Sequence, residues 1–546
     1  MTDLGLRSRA GLLTGFALSL LLLAPLLGPG YVLVRDMAFV PRTPLGGQLL
    51  GLDGVPRGVP SELVVALLSR VVATGWLQDL ILVALVVGAA WGAARLAPVQ
   101  GVVPAAAAAA AYGWSAYLHE RLLLGQWALL VGWAVLPWAA RAAVEWRQDG
   151  PAGPVFAWLA VAALAGANAL LLVALVVVIC GRLRPALLAT AVLSLPWAVP
   201  AVLQDQRPGD PAGVDAFAAH ADTPLGVLGS LLTGGGVWAR EAAPPGRQVG
   251  VWLAVGVLLI AVLGLRELRR VLGGRLVVAG GVGLLLALLA HLPGLHAALR
   301  WSVVHIPAAG LLRDGQKWVA PLLLLTSAAF ACGVAVVAER VGPAAGVLLA
   351  LAPVAALPGA AWGESGALKV SHYPPAWEQV TGRTHGPVLV LPWTLYRAFP
   401  WEHDVPVLDP ATKLLQRPVV DDDLPLAGRV VQGEDPLAAR LDDVVTAGGP
   451  LASPLAAAGV TQVLVERTTR GFDASQAAAQ TAGLTLVIRT PDLDLYDVPN
   501  PGRAPARTSP WAVLPGDVLA LGLAGWSLSA SVLAGRRRSR RRSAPR

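Results

Sequence analysis

The stretch AGLLTGFALSLLLLAPLLGP at residues 10–29 decides the fold, because it is an apolar run without a charged residue. A helix rises about 1.5 Å per residue, so about 20 apolar residues are enough to cross the hydrocarbon core of a bilayer, roughly 30 Å thick. Arg7 and Arg9 precede the run, and basic residues favour the cytoplasmic side. No clean small-residue cleavage site closes it. The sequence therefore predicts a retained first membrane helix with the amino terminus inside.

Composition extends this prediction to the whole chain of 546 residues, of which 55% are hydrophobic and only 14% charged. A soluble protein carries about 25% charged residues, so a bilayer must act as the solvent for most of this chain. The net charge is +8, and nearly all of it comes from the seven arginines of residues 536–546. The rest of the chain is close to neutral, which argues against nucleic-acid binding.

Further apolar runs predict a polytopic α-helical membrane protein. Basic residues in the turns between the runs set the direction of each span. The alternation holds if residues 151–181 form two short helices broken near Gly166-Ala167-Asn168. The total is then about twelve spans, with both termini inside. The predicted spans are residues 10–29, 76–94, 101–117, 122–140, 151–181 (counted twice), 184–203, 250–265, 275–292, 318–338, 342–357 and 511–534.

This topology divides the chain into regions on the two sides of a cytoplasmic (inner) membrane. Residues 1–357 form a multi-span transmembrane domain, and residues 358–510 form an extracytoplasmic domain before the last span. Residues 511–534 are the last transmembrane helix, and residues 535–546 are a basic cytoplasmic tail. The outer loops of the transmembrane domain are residues 30–75, 115–126, 204–249 and 293–316.

Within residues 358–510, strand-like apolar runs alternate with helical pieces, which predicts a small α/β domain. The predicted strands are residues 386–391, 460–465, 484–488 and 493–498, and the predicted helices are residues 454–458 and 474–482. Asp421-Asp422-Asp423 would suit a divalent cation, since hard cations bind clustered carboxylates. A solvated acidic loop is the alternative. No metal-ligating residue is assigned, and the cofactor stays open.

Asp36, a few residues after the first predicted span, is the candidate catalytic residue. A carboxylate at this boundary can act as general base on an acceptor hydroxyl while the other substrate stays in the lipid. A salt bridge to Arg35 or a helix N-cap is the alternative interpretation of Asp36.

Two further groups of ionisable residues lie at the predicted outer boundary. His119-Glu120-Arg121 stands between two spans, and if this segment is helical, Glu120 and Arg121 share a face with Tyr117. Simple interfacial packing is the alternative. In the segment Arg313-Asp314-Gly315-Gln316-Lys317, the two cations could hold a lipid phosphate by charge-assisted hydrogen bonds. Cations that only anchor a span at the interface would look the same.

Three stretches carry a resemblance to a known family. They are residues 117–127 followed by Leu136-Pro137-Trp138, residues 306–318, and the soluble end from residues 456–465 to residues 494–499. In these stretches, and in layout along nearly the whole chain, the protein resembles the large actinobacterial membrane proteins of the GT-C glycosyltransferase class, near the arabinofuranosyltransferase and YfhO-like groups.

The resemblance implies a GT-C-like enzyme that moves a sugar from a polyprenyl-phosphate donor in the membrane lipid to a cell-envelope glycan or lipid acceptor on the outer face. In this class a carboxylate of the first outer loop is the catalytic base, and Asp36 matches it. A second acidic residue is usual nearby, and the next one in this loop is the more distant Asp53. The expected substrate-binding residues are Arg35, His119, Glu120, Arg121, Gln126, Arg313, Asp314 and Lys317. A non-catalytic envelope-assembly scaffold and a lipid or glycan flippase remain the alternatives.

Overall fold

The fold was analysed in a computed structural model that describes residues 3–204, 206–426 and 428–543, with side chains from residue 5 to residue 533. Helices dominate the first 357 residues and the end of the chain, and most strands lie between them. The last helix continues into the predicted basic tail as far as Ser543. The arginine side chains of that tail, and Arg546 entirely, lie outside the described residues.

The helices differ widely in length, and the long ones lie almost entirely in the predicted transmembrane region. In chain order they are α1 (Asp3–Leu23), α2 (Ser61–Leu68), α3 (Thr74–Leu96), α4 (Val102–Gly113), α5 (Ala116–Leu123), α6 (Trp127–Arg147), α7 (Gly153–Leu164), α8 (Ala167–Cys180), α9 (Leu183–Leu203), α10 (Ala212–Ala216), α11 (Gly226–Leu232), α12 (Arg247–Leu272), α13 (Arg275–Ala287), α14 (Pro293–His305), α15 (Ala320–Val341), α16 (Pro343–Ala355), α17 (Ala361–Gly366), α18 (Ala376–Thr381), α19 (Ala411–Leu414), α20 (Pro436–Thr446), α21 (Ala452–Ala457), α22 (Ala474–Gln480) and α23 (Pro510–Ser543).

The strands are short. They are β1 (Tyr31–Val32), β2 (Val370–Ser371), β3 (Val388–Leu391), β4 (Tyr396–Arg397), β5 (Val407–Leu408), β6 (Pro418–Val419), β7 (Leu424–Leu426), β8 (Arg429–Val431), β9 (Gln462–Glu466), β10 (Thr485–Arg489) and β11 (Leu493–Asp497).

The count of membrane spans differs from the expected twelve. Among the described residues, seven helices are long and apolar enough to cross a membrane, or up to eight if the bent pair Pro343–Ala355 and Pro358–Gly366 is one span. The chain is thus a membrane protein, but twelve spans are not confirmed. The other predicted spans form helices of only 12 to 14 residues. These helices are α4, α7, α8, α13 and α16. A helix of this length reaches roughly 21 Å at most, less than the hydrocarbon core.

Residues 151–181 form two helices with a break at the predicted place. α7 ends before Gly166, whose φ of 104° favours glycine, and α8 begins directly after it. The start of α7 and the end of α8 lie close together. Arg182, after α8, forms a salt bridge with Asp149, before α7 (2.6 Å). At the break, the Asn168 side chain accepts a hydrogen bond from Lys317. The pair is therefore a hairpin whose tip lies at the start of α15.

The two ends of the helical bundle contact different parts of the chain. At one end, turns predicted to be inner lie together, since Arg7 donates to the Ala97 carbonyl oxygen (2.6 Å). At the other end, segments predicted to be outer lie together. There the Arg207 backbone N–H donates to the Glu434 carbonyl oxygen (3.1 Å). The predicted outer loops thus lie on the same end of the bundle as the α/β domain.

The α/β domain contains a mixed sheet. Among the described residues it has five strands in the order β10-β11-β9-β3-β6. β3 is parallel to both β6 and β9, whereas β11 is antiparallel to β9 and to β10. Four of these strands lie within about two residues of the predicted positions, and β6 was not predicted.

The hydrophobic core of the α/β domain includes residues from the first predicted outer loop. Leu33, Ala38 and Val40 are buried in one cluster with Val388 of β3 and Leu464 of β9. The strand β1 of the same loop pairs with β2 in antiparallel register. Residues far apart in sequence therefore complete one core.

The helices α12 and α15 cross at two glycines. A Cβ added at Gly264 would lie 2.0 Å from the Ala329 carbonyl oxygen, and one added at Gly333 would lie 2.0 Å from the Ile260 carbonyl oxygen. Small residues let membrane helices approach this closely.

We therefore expect Gly264→Ala to force the two helices apart and lower stability by about 1–3 kcal/mol, the usual effect of overpacking. The measurement is the midpoint of thermal unfolding in detergent. Gly256→Ala on the same helix is the matched control, since a Cβ there meets nothing within 4 Å. Equal midpoints for the two variants would contradict the close crossing.

Candidate active site

Asp36 lies in a tight turn that packs directly on the end of α5. The backbone N–H of Met37 donates to the Val34 carbonyl oxygen (2.8 Å), and the N–H of Val34 donates back to Met37 (3.3 Å). The N–H of Asp36 donates to the Leu124 carbonyl oxygen (3.2 Å). The backbone thus fixes the position of Asp36 relative to the segment that contains Arg121.

Gly125 makes this close packing possible. It has a φ of 71°, and a Cβ there would lie 2.2 Å from the Val34 carbonyl oxygen and 2.3 Å from the Met37 nitrogen. Any side chain would therefore push the Asp36 turn away from α5.

The Asp36 carboxylate is held by side chains from two other segments. Gln126 donates its amide N–H to Oδ2 (3.4 Å), and the Tyr396 hydroxyl of β4 donates to Oδ1. Arg35 instead forms a salt bridge with Glu241 (3.0 Å). The alternative interpretation of Asp36 as a partner of Arg35 or as a helix cap is therefore wrong. Asp36 itself remains partly exposed.

Burial raises the pKa of Asp36 above the usual aspartate range, since a carboxylate loses solvation when it leaves water. The hydrogen bonds from Tyr396 and Gln126 lower this pKa, as do the charges of Lys413 and Arg35, but by less than burial raises it. A carboxylate with a raised pKa is a stronger proton acceptor, which suits a general base.

Arg121, in the predicted outer loop 115–126, is fully buried in the helix α5. Its guanidinium donates to both carboxylate oxygens of Asp314, with an Nη2–Oδ1 distance of 2.8 Å. It also donates from Nε to Gln316 (2.7 Å) and from Nη1 to Gln126 (2.6 Å). The Tyr117 ring lies 5.7 Å away on the shared face that the sequence predicted. Gln126 therefore connects Arg121 to Asp36.

Asp314 stays ionised in this pair. Burial raises its pKa, but the charge of Arg121 and the hydrogen bonds from it more than offset this, so the pKa of Asp314 lies below the usual range. The buried guanidinium thus has a charged partner, as buried cations require.

Glu120 lies in a second buried cluster. Its Oε2 accepts hydrogen bonds from the Val237 backbone N–H (3.1 Å) and from Gln316 (3.2 Å). Burial, and then the nearby charge of Asp222, raise the pKa of Glu120 well above its usual value. Asp222 itself is paired with Arg247 (2.9 Å). The pKa values of Glu120 and Asp222 are therefore shifted in opposite directions, since burial raises that of Asp222 but the charge of Arg247 and hydrogen bonds lower it by more.

His119 faces away from this cluster, toward Glu364. The His119 Nδ1 and the Glu364 Oε1 lie 2.6 Å apart, and both side chains are fully buried. Glu364 lies in α17, where residues 362–365 have φ values of 55° to 63° and form a left-handed turn. Such a conformation costs roughly 1–2 kcal/mol for each non-glycine residue. No hydrogen bond joins His119 to Asp36 among the described residues.

Arg313 and Lys317 contact different partners. Arg313 is 3.6 Å from Glu434, and its guanidinium lies 5.6 Å from the centre of the Phe217 ring. Lys317 donates instead to Asn168 and to a backbone carbonyl oxygen. Both cations of the predicted phosphate clamp therefore contact protein groups in this structure, and their role stays a prediction.

The acidic triplet of residues 421–423 is bound up in loop contacts. Asp422 forms a salt bridge with Arg57 (3.3 Å), and Asp423 accepts a hydrogen bond from the Gly433 backbone N–H (2.8 Å). Over the described ranges, no group of three or more His, Cys, Asp or Glu residues could hold a metal ion.

Several residues of the site were not among those selected from the sequence. Tyr396, Glu364 and Asp222 are distant in sequence from the residues that they contact, so no local pattern marks them. Asn168 was recognisable as the polar residue in the otherwise charge-free stretch of residues 151–181. Gln316 lies within the segment of residues 313–317, which the sequence marks only by its charged residues.

Comparison with known proteins supports the fold. No protein-family model matches the chain, and no curated protein matches it. Among solved structures, the chain is similar to arabinofuranosyltransferase AftD from Mycobacteria, with a TM-score of 0.54 and 17% sequence identity over 91% of this chain. The fold is GT-C-like. The match covers 42% of the AftD chain, so this chain spans less than half the length of that enzyme. At this identity the likeness concerns the fold alone.

The ion pair between the buried Arg121 and the partly exposed Asp314 predicts a large loss of stability for Asp314→Asn, about 3–5 kcal/mol, because a buried guanidinium would lose its counter-charge. Thermal unfolding in detergent measures this loss. The exposed pair of Arg182 and Asp149, whose Asp149 side chain is 93% exposed, gives the matched control. Asp149→Asn should cost less than about 1 kcal/mol. Similar losses of stability in both variants would show that the pair of Arg121 and Asp314 stabilises the fold no more than an exposed pair does.

Proposed function

We propose that this protein is a membrane glycosyltransferase that moves a sugar from a polyprenyl-phosphate donor to a cell-envelope glycan or lipid acceptor on the outer face of the inner membrane. The observation that carries the proposal is Asp36, a partly exposed carboxylate with a raised pKa, fixed between the helical bundle and the α/β domain. The structural similarity to a membrane arabinofuranosyltransferase supports the class of reaction.

Asp36 would act as the general base. The acceptor hydroxyl gives its proton to the carboxylate while the acceptor oxygen forms a bond to the anomeric carbon of the donor sugar. The bond from that carbon to the phosphate oxygen breaks, and the lipid phosphate leaves with the electron pair. Tyr396 and Gln126 hold the carboxylate in place through their hydrogen bonds, which keeps the base oriented toward the acceptor.

The departing lipid phosphate needs positive charge nearby. Lys413 and Arg35 are the cations whose charges act on Asp36, and we assign them to the phosphate. Each of these two cations has an acidic partner in this structure, Glu62 for Lys413 and Glu241 for Arg35, which the phosphate would replace. Arg313 and Lys317 would likewise exchange Glu434 and Asn168 for the phosphate.

The remaining predicted residues would hold the site in position without contacting the substrates. Arg121 and Asp314 position Gln126 through the buried ion pair. His119 and Glu120 fix α5 on its other sides. Their role in a sugar pocket is thus to shape its wall.

The proposed sidedness follows from charge. Arginine-rich turns lie together at one end of the bundle and favour the cytoplasmic side. The α/β domain lies at the other end and would face outward, with both chain termini inside.

The first test is Asp36→Asn in a deletion strain. We expect a lipid-linked sugar to accumulate in the deletion strain, wild type to clear it, and Asp36→Asn to fail although the protein folds, because an amide cannot accept the proton. The measurements are a lipid and envelope-glycan profile and the thermal midpoint of the purified variant. Asp443→Asn, at an exposed carboxylate of α20, is the control and should restore the profile. Full complementation by Asp36→Asn would favour the non-catalytic scaffold or the flippase.

The second test is the pH dependence of Tyr396→Phe. This variant loses a hydrogen bond that lowers the pKa of Asp36, so that pKa rises further. Transfer needs ionised Asp36 and is lost as pH falls through this pKa, so the low-pH side of the rate profile should move to higher pH.

The measurement is the initial transfer rate in membranes from the complemented strain at a series of pH values. Tyr373→Phe is the matched control, because the Tyr373 hydroxyl donates to the Phe39 carbonyl oxygen (3.0 Å) and not to Asp36. An unshifted profile for Tyr396→Phe would mean that ionisation of Asp36 does not limit the rate.

A further inference from the structure

A cavity of about 230 Å³ lies in the α/β domain, lined by residues that take no part in the site around Asp36. One wall follows β3 and contains Pro392 and Trp393. A second part of the lining follows β9 and contains Phe472, Asp473 and Gln476. The cavity therefore lies at the carboxyl ends of two neighbouring parallel strands.

The connections of these two strands leave in opposite directions. After β3 the chain continues to β6 on one side, and after β9 it continues to β10 and β11 on the other side. Such a switch in direction opens a crevice at the strand ends, and open α/β sheets bind their ligands there. The topology alone thus places a ligand site where the cavity lies.

The cavity combines aromatic surface with available polar groups. The Trp393 indole N–H donates to Asp442 (2.9 Å), which fixes the orientation of the ring. The Asp473 Oδ1 caps α22, and no hydrogen bond to Oδ2 is found among the described residues. The side-chain amide of Gln476 likewise has no hydrogen-bond partner there. A ligand could therefore pack on the rings and hydrogen-bond to a carboxylate and an amide.

The charge of the cavity selects among ligands. No lysine, arginine or histidine lines it within the described parts of the chain, and Asp473 contributes a negative charge. A phosphate or a uronic acid would be repelled. The volume is smaller than the 300–1,000 Å³ or so of pockets for drug-sized molecules, which suits a single ring.

We propose that this cavity binds one neutral sugar unit of a glycan. The apolar face of a sugar ring packs on Trp393 or Phe472, and its hydroxyls donate to the Asp473 carboxylate and pair with the Gln476 amide. The proposal rests on the proposed function for the source of the glycan, the cell envelope. Binding itself requires no turnover, so the α/β domain would hold a glycan chain while another part of that chain is at Asp36.

The test is ligand-observed saturation-transfer NMR with the full-length protein in detergent. The probes are a linear arabino-oligosaccharide, a linear manno-oligosaccharide and, as the anionic comparison, an oligogalacturonate. We expect at least one neutral probe to bind, and the oligogalacturonate to bind at least tenfold more weakly. The proposal is overturned if neither neutral probe binds wild type, or if the anionic probe binds as well as they do.

Two cavity variants and one control variant locate the binding. Ala477→Leu fills the cavity and should weaken binding at least tenfold, whereas Ala478→Leu on the exposed side of the same helix should not change it. Both substitutions introduce a good helix former. Gln476→Ala, the second cavity variant, lies at an exposed position and should weaken binding several-fold. It tests the cavity even if Ala477→Leu fails to fold. Unchanged binding in both cavity variants would place the glycan elsewhere.

Asp36→Asn separates this proposal from the proposed function. It should bind the neutral probe as wild type does, whether or not it has lost transfer. If Asp36→Asn complements the deletion strain while the Ala477→Leu variant loses binding, the sugar site stands and the transferase assignment fails. If Asp36→Asn alone abolished binding of the probe, the glycan would be bound at Asp36 and the cavity assignment would be wrong.

Discussion

Burial of the Arg121 guanidinium is the constraint on which the candidate site depends. A buried cation must have a counter-charge and must use its hydrogen-bond donors. Asp314, Gln316 and Gln126 meet this need, and they come from the segment before α15 and from the start of α6. These segments cannot separate without exposing an unpaired charge to an apolar interior, so the ion pair fixes the frame in which Asp36 is held.

From this frame a chain of polar contacts extends in both directions. Outward, Gln126 connects Arg121 to the partly exposed Asp36. Inward, Gln316 connects Arg121 to Glu120, which adjoins the pair of Asp222 and Arg247. The members in order are Asp36, Gln126, Arg121, Gln316, Glu120, Asp222 and Arg247. Along this chain each of the two arginines has one aspartate partner, Asp314 for Arg121 and Asp222 for Arg247.

Much of the fold could be predicted from the sequence, because hydrophobic length and basic turns are local signals. The break at Gly166 and four strands of the main sheet were found in this way. The count of twelve spans is not confirmed, because an apolar run shows hydrophobicity but does not show how many of its residues become helical. Several runs yielded only three to four turns of helix.

The site was predictable only in part. Asp36, Arg121 and Asp314 were selected because ionisable residues at a membrane boundary need a reason to be there. Arg313 and Lys317 are predicted as a pair on the same grounds, but Arg313 follows one turn of 3-10 helix and Lys317 lies in the next, and they have different neighbours. Tyr396 could not be predicted, because its contact with Asp36 exists only in the folded protein.

The shared core of the α/β domain has a consequence for how the protein is made. Tyr396 follows Asp36 by 360 residues, and Leu33 and Val40 pack on strands that are translated late. During synthesis the Asp36 carboxylate is therefore made long before the Tyr396 hydroxyl that holds it. Under the proposed function, the base would be oriented only when the late strands close over the early loop, and a growing chain in the bilayer would stay inert toward lipid-linked sugars until its assembly is nearly complete.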